Sequence, residues 1–87
     1  MQTVTLYGAE IDDKAALHAA IARQLGFPDW YGANLDALHD LLSERRRTLR
    51  VFVLGREALR ESLGEDYYRR FLRALYDAHV YVEARDV

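Results

Sequence analysis

The spacing of apolar residues along the chain alternates between two periods, which separates predicted strands from predicted helices. Residues 3–7 alternate apolar side chains with threonines and predict a first strand. Residues 49–54 are almost continuously apolar, as expected of a central parallel strand that helices cover. Val80 and Val82 alternate with polar neighbours and predict a third strand. The three strands are therefore widely separated in the sequence.

Helical spacing of apolar residues fills the intervals between these strands. The first helix is predicted over residues 14–25, with an N-cap from the aspartate at position 12 or 13. Gly26 ends it, because glycine accepts the left-handed conformation common after a helix. The second helix opens at Asn34, a strong N-cap, and runs to about Glu44. Four of its leucines are predicted to face inward: Leu35, Leu38, Leu41 and Leu42.

Two further helices, a short one over residues 58–63 and a longer one over residues 66–78, follow the second strand. The element order is then β-α-α-β-α-α-β. Strands that alternate with helices imply an α/β fold, here a three-stranded parallel sheet packed with about four helices and joined by right-handed crossovers. With 87 residues in all, residues 1–87 are predicted to form a single domain, since so short a chain cannot build a second core.

The composition favours a cytoplasmic protein. The chain has no cysteine, so disulfides and cysteine-ligated metals are excluded. It shows no signal-peptide pattern, and no apolar run approaches the roughly 18 residues that a membrane span needs. We therefore expect a soluble cytoplasmic domain with no membrane partner.

Negative charge is concentrated in one part of a chain whose formal net charge is −2. Residues 25–44 contain no Lys or Arg, and their four acids give −4, which leaves 12 cations against 10 acids elsewhere. The four acids are Asp29, Asp36, Asp40 and Glu44. This stretch is either a solvated helix face or a docking site for a basic partner.

Residue types give little support to catalysis. Ser43 and Ser62 lie in no nucleophile pattern, and the five glycines form no phosphate-binding loop. Asp36 and His39 supply two possible metal ligands, but a site needs at least three, and the zinc-protease motif is absent. We expect no catalytic residue, metal or cofactor. His39 is instead interpreted as a surface or half-buried side chain, and His18 on the first helix and His79 before the last strand are given no separate role.

Two alternative functions remain open. The run from Arg45 to Arg47 suggests a small RNA-binding module, although cations after a helix also complement its dipole and need no ligand. The second alternative is a small hydrolase in which Asp36 and Asp40 act as acid and base. This chemistry would require the environment of the two carboxyls to separate their pKa values. The net negative charge argues against direct nucleic-acid binding.

The segment before the second helix departs from what stability alone requires. Trp30 and Tyr31 are large aromatic residues in a predicted loop, so at least one should reach the core. Asp36 and Asp40 lie one turn apart with no cation beside them on the helix, an arrangement that costs a few tenths of a kcal/mol. The positive end of the helix dipole explains Asp36 but not Asp40. An aromatic residue beside exposed acids is typical of a protein-binding hot spot.

Residues 27–40, FPDWYGANLDALHD, resemble the signature of the barstar family, intracellular bacterial inhibitors of extracellular-type guanyl ribonucleases. The match is long and without gaps, and the family's three-stranded parallel sheet agrees with the predicted element order. The resemblance implies a non-enzymatic inhibitor, monomeric when free, that binds one basic ribonuclease. Such a protein would guard against a self-made enzyme or a rival's toxin.

The resemblance also implies roles for individual residues. Asp40 would be the central anion that imitates an RNA phosphate in the enzyme's active site, and Asp36 would be a flanking salt-bridge partner. Trp30 would cover the cleft in place of the family's common Tyr. His39 stands where the best-known member has Trp, and the family's acid on the last helix has no clean match, although Asp77 is a weak substitute. Close contacts along the loop and helix start would come from Gly32, Asn34 and Leu35.

Overall fold

The computed structural model describes residues 2–45 and 47–86, which form an α/β fold with a three-stranded parallel sheet. The element order is β-α-α-β-α-α-β, as the sequence predicts. The elements are β1 (Gln2–Tyr7), α1 (Lys14–Leu25), α2 (Leu35–Ser43), β2 (Leu49–Leu54), α3 (Arg56–Leu63), α4 (Glu65–Asp77) and β3 (Tyr81–Arg85). An unpredicted 3-10 turn, Gly8–Glu10, follows β1. Several element ends differ from the prediction by one or two residues.

The central strand of the sheet is β2, with β1 and β3 on either side. Val51 of β2 pairs with Val4 of β1 and Val82 of β3. Alternate residues of β1 and β2 are buried, as expected where one side of each strand faces the core. The outer edge of β1 is partly protected, because the side chain of Gln24 accepts from the backbone N–H of Thr5 (3.0 Å) and donates to its carbonyl (2.9 Å).

Two glycines fix the chain where elements meet. A Cβ on Gly8 would lie 2.1 Å from the carbonyl oxygen of Gly55, so only glycine allows the turn after β1 to approach the start of α3. Gly26 ends α1 with φ of 66°, and the N–H of Phe27 then donates to the carbonyl of Ala22 (3.0 Å). The predicted end of α1 at a glycine is therefore confirmed. Of the two aspartates predicted as candidates for the N-cap, Asp13 caps the helix, and its side chain accepts from the N–H of Ala16 at 2.8 Å.

α2 packs against α4 and the core through one side only. Leu38 and Leu42 are fully buried, and Leu35 packs against the core while partly exposed. The prediction that Leu41 faces inward is wrong, because Leu41 is half-buried and, unlike Leu35, is not among the side chains that pack against the core. Leu38 and Leu42 are one turn apart and define the buried line of the helix, whereas Leu41 lies about 100° away from Leu42 around the axis. The polar side of α2 is left open to solvent.

Candidate functional site

The two aromatic residues before α2 have opposite environments. Tyr31 is half-buried and packs on Phe27, with their ring centroids 4.9 Å apart, and its backbone N–H donates to the carbonyl of Pro28 at 3.0 Å. Trp30 is 77% exposed. The expectation that at least one of the pair reaches the core is confirmed, with Tyr31 as that residue. The indole of Trp30 is consequently available for contact.

Buried His18 holds the loop before α2 in place through a hydrogen bond to Tyr31. It is 2% exposed, its Nδ1 lies 2.5 Å from the Tyr31 hydroxyl, and its Nε2 lies 2.8 Å from the Tyr67 hydroxyl on α4. A neutral imidazole has one N–H and one acceptor nitrogen, so one tyrosine accepts a hydrogen bond and the other donates one. The sequence alone did not predict this role for His18. The signal was its spacing: positions 18, 21 and 25 lie on one face of α1.

Burial controls the protonation of this cluster. It lowers the pKa of His18, because the charged imidazolium would lose its hydration. Burial also raises the pKa of the Tyr31 and Tyr67 hydroxyls, and Tyr67 raises that of Tyr31 further. Lys14 and Arg70 lie over the Tyr67 ring, at 4.6 and 5.7 Å from its centroid. At neutral pH the cluster is uncharged, and His18 on α1 connects Tyr31 of the loop with Tyr67 of α4.

Local backbone geometry sets where α2 begins. Asn34 caps the helix: its Oδ1 accepts from the N–H of Ala37 at 2.8 Å, and its Nδ2 donates to the carbonyl of Gly32 at 3.4 Å. A Cβ on Gly32 would lie 2.9 Å from that amide nitrogen, so a larger residue would crowd the cap. Ala33 between them has φ of 52°, an uncommon conformation for a residue with a side chain. The loop therefore enters α2 in one defined direction.

One side of α2 forms a groove with the loop, here named the Trp30 groove. It encloses about 370 Å³. The Asp40 side chain is 85% exposed, and Glu44 is exposed one turn further along. Two carboxylates thus flank an exposed indole. The groove is lined by Trp30, Ala37, Asp40, Leu41 and Glu44.

The other side of α2 forms a groove with α4, here named the α2–α4 groove, which encloses about 390 Å³. His39 lies on this side, and its Nδ1 is 3.6 Å from Oδ1 of Asp40. Asp77 lies across the groove on α4, with Oδ2 3.8 Å from Nε of Arg73. The lining residues are Leu35, Asp36, His39, Arg70, Arg73, Ala74 and Asp77.

The structure thus divides six of the eight predicted site residues between two flanks of one helix, while Gly32 and Asn34 lie at the helix start and line neither groove. Trp30 and Asp40 share one groove, and the other is shared by Leu35, Asp36, His39 and Asp77. Leu41 and Glu44 line the Trp30 groove but were not among the predicted site residues. Glu44 follows Asp40 by four residues, and this spacing places the two acids on the same side of the helix. The acids of α2 have no cation beside them on their own helix, as predicted. Across the α2–α4 groove, however, Asp36 faces Arg70 and Arg73 of α4.

The alternative RNA-binding patch is only partly available. Nη1 of Arg45 donates to the carbonyl of Leu25 at 3.0 Å and to Oε1 of Gln2 at 3.2 Å, and its guanidinium lies over the Phe27 ring. Arg45 is therefore engaged in joining α2 to the end of α1. Arg46 lies outside the described residues, and Arg47 is exposed.

Other kinds of site have no counterpart in the described part of the chain. Across residues 2–45 and 47–86, no three His, Asp or Glu side chains are grouped so that they could hold a metal ion. Every helix in those residues is too short or too polar to cross a membrane.

The fold is an α/β domain in which exposed Trp30 of the loop and the exposed acids Asp40 and Glu44 of α2 line one groove, a surface of the kind that binds other proteins. Comparison with known sequences gives the particular family: the chain belongs to the family described as "Barstar (barnase inhibitor)", which matches residues 1–87. The chain is also 40% identical over 43 residues to a Bacillus subtilis (strain 168) protein named "Putative ribonuclease inhibitor YrdF". That match covers 49% of this chain and 47% of the relative, so about half of each protein is compared.

Proposed function

We propose that this protein inhibits a ribonuclease by placing the Trp30 groove and the exposed acids of α2 against the enzyme's active-site cleft. Membership of the barstar family and the name of the B. subtilis relative support a ribonuclease as the target. The observation that carries the proposed mode of binding is the groove in which exposed Trp30 stands beside the exposed carboxylate of Asp40.

The carboxylates of α2 are suited to replace phosphates. Asp36, Asp40 and Glu44 follow one another at intervals of four residues, which is a rise of about 6 Å along a helix. A ribonuclease cleft binds the phosphates of RNA with cationic side chains, and fixed carboxylates meet the same cations. Because α2 is held by its cap and by its buried leucines, little conformational entropy is lost when these acids bind.

Trp30 supplies the apolar part of the contact. An exposed indole is an amphipathic group with few rotatable bonds, and residues of this kind dominate the binding energy of protein interfaces. Tyr31 holds the neighbouring backbone in place through His18, so the indole is presented from an anchored segment. We propose a complex of one chain with one enzyme, formed by a free monomer in the cytoplasm.

The test is an RNA-cleavage assay with purified barnase and a panel of secreted guanyl-type ribonucleases, each titrated with the wild-type chain. For an enzyme that is inhibited, Asp40→Ala should weaken inhibition by about tenfold or more, as loss of a central interface charge does. Glu61→Ala is the matched control, since Glu61 is an exposed acid on α3 and its loss changes the net charge equally.

Two results would contradict the proposal. The first is a complete lack of inhibition across the panel by a folded wild-type chain. The second is equal inhibition by the wild type, Asp40→Ala and Glu61→Ala. Stoichiometry is measured on the same complex by calorimetry, where a ratio other than one to one would contradict the proposed complex.

A further inference from the structure

α4 presents exposed arginines next to the acids of α2. Arg70 and Arg73 line the α2–α4 groove opposite Asp36, and Arg69 is exposed on the same helix. A second groove on α4, of about 640 Å³, is lined by all three arginines and shares Arg70 and Arg73 with the α2–α4 groove. It is lined by Asp66, Arg69, Arg70, Leu72, Arg73 and Tyr76. The surface around α2 is therefore bipolar: acids lie along α2 and arginines lie beside them on α4, a helix whose three acids and three arginines cancel in net charge.

Contacts within α4 leave these guanidinium groups accessible. Nη1 of Arg70 lies 3.8 Å from Oδ2 of Asp66, and Nε of Arg73 lies 3.8 Å from Oδ2 of Asp77. The Arg70 and Arg73 side chains are 63% and 81% exposed. Exposed pairs of this kind contribute little to stability, and each guanidinium has five N–H donors. Both arginines can bind a further carboxylate without breaking a strong internal contact.

We propose that Arg70 and Arg73 contact the ribonuclease and bind acidic side chains at the rim of its basic cleft. This inference rests on the proposed function and specifies the partner. An enzyme that covers Asp36 also covers the two arginines, because all three line one groove. If the rim were basic there, like charges would face each other across the interface and oppose binding. The arginines thus select enzymes that carry acids beside the cleft and reject enzymes that do not.

The inference is tested by whether a charge reversal on α4 strengthens or weakens binding to the enzyme. If α4 acted only through overall charge, Arg73→Glu would make an acidic inhibitor more acidic and would strengthen its binding to a basic enzyme. Pairing with acids on the enzyme predicts the reverse: Arg73→Glu and Arg70→Glu should each lower the binding affinity by about tenfold or more. Arg23→Glu is the matched control, since Arg23 is exposed on α1 and its reversal changes the net charge equally.

The probe is a catalytically inactive form of the panel ribonuclease that the wild-type chain inhibits most strongly, immobilised for binding measurements. We expect Arg70→Glu and Arg73→Glu to weaken binding while Arg23→Glu leaves it equal or slightly stronger. Replacing acidic rim residues of the enzyme with lysine, one at a time, should restore binding to an arginine variant at one position. Thermal melting of each variant verifies that it is folded.

The outcomes separate this inference from the proposed function. If Asp40→Ala weakens binding but both arginine reversals match Arg23→Glu or strengthen binding, the inference is overturned and the proposed function stands. If Asp40→Ala has no effect, the proposed function fails as well. Binding of a labelled RNA oligonucleotide to the free chain, lost in Arg73→Glu, with unchanged binding to the enzyme would assign α4 to RNA instead and overturn the inference.

Discussion

Trp30 and Tyr31 are neighbours in the sequence, yet they serve opposite purposes. Tyr31 contributes a ring to the packing around Phe27 and a hydroxyl to His18, whereas Trp30 extends into solvent. A residue that stabilises the native state and a residue that is free to bind therefore differ by one position. Substitutions at these positions should separate stability from binding.

Trp30→Ala is predicted to weaken ribonuclease inhibition by at least about 30-fold, the effect expected of an aromatic hot spot of about 2 kcal/mol. The free energy of unfolding should change by less than about 0.5 kcal/mol, because the indole is mostly exposed. Inhibition assays and urea unfolding measure the two quantities. Tyr7→Ala, which removes an exposed aromatic residue on β1, is the control and should leave inhibition unchanged.

His18 should make the stability of the protein depend on pH. Because burial lowers its pKa below the ordinary value of 6.5, the unfolded chain binds this proton at a higher pH than the native protein does. The contribution of His18 is complete above pH 6.5 and is lost as the pH falls through and below that value. Urea unfolding at about pH 7.5 and about pH 5.5 should show this loss in the wild type.

His18→Gln removes the titratable group and should reduce the difference between the two pH values. Amide hydrogen exchange of residues 31–34 gives a local readout: after correction for the slower intrinsic exchange at the lower pH, their protection factors in the wild type should fall more than those of β2. Equal pH dependence of unfolding in the two proteins would show that His18 is not the group responsible.

At the scale of the element, α2 is a short helix whose position depends on both ends. Its first turn is held by the Asn34 cap, and Leu38 and Leu42 bury one side against the core. The hydroxyl of Ser43 donates to the carbonyl of His39 at 2.7 Å near the other end. The acids project from a helix of nine residues, a length at which tertiary packing rather than helix propensity provides most of the stability.

Asn34→Ala is predicted to lower the free energy of unfolding by about 1 kcal/mol, since the N–H of Ala37 loses its acceptor. Asn34→Asp keeps an acceptor at the cap and adds a charge that the helix dipole favours, so it should retain most of the stability. Urea unfolding of the three proteins checks the order. If Asn34→Asp were as unstable as Asn34→Ala, the cap would not be the reason for the loss.

At the scale of the whole molecule, the distribution of charge matters more than its total. A net charge of −2 hides the −4 of residues 25–44 and the arginines of α4. Barnase and its inhibitor barstar associate by electrostatic steering, and the proposed function predicts the same for the complex of this chain with its enzyme. The bipolar surface adds an orientation to that attraction, because it is complementary only to a partner with a matching arrangement.

Association with the inhibited ribonuclease should therefore slow as ionic strength rises. Between low salt and about 0.5 M salt the association rate constant should fall by about tenfold or more, because screening weakens long-range attraction. The dissociation rate constant should change much less, since close contacts are screened less. Stopped-flow mixing measures both, and an association rate that is constant across salt would contradict steering by these charges.

The sequence by itself determined the order of the elements, the glycine that ends α1, the Asn34 cap of α2, and the segment that resembles a ribonuclease inhibitor. These features depend on local spacing and on residues such as Asn34 and Gly26, whose conformational preferences act within one turn of the chain. Only the tertiary structure decided that His18 bridges Tyr31 and Tyr67, and that arginines of α4 stand beside Asp36. These contacts join residues from distant parts of the chain, and local spacing cannot specify which of them the packing of α1, α2 and α4 brings together.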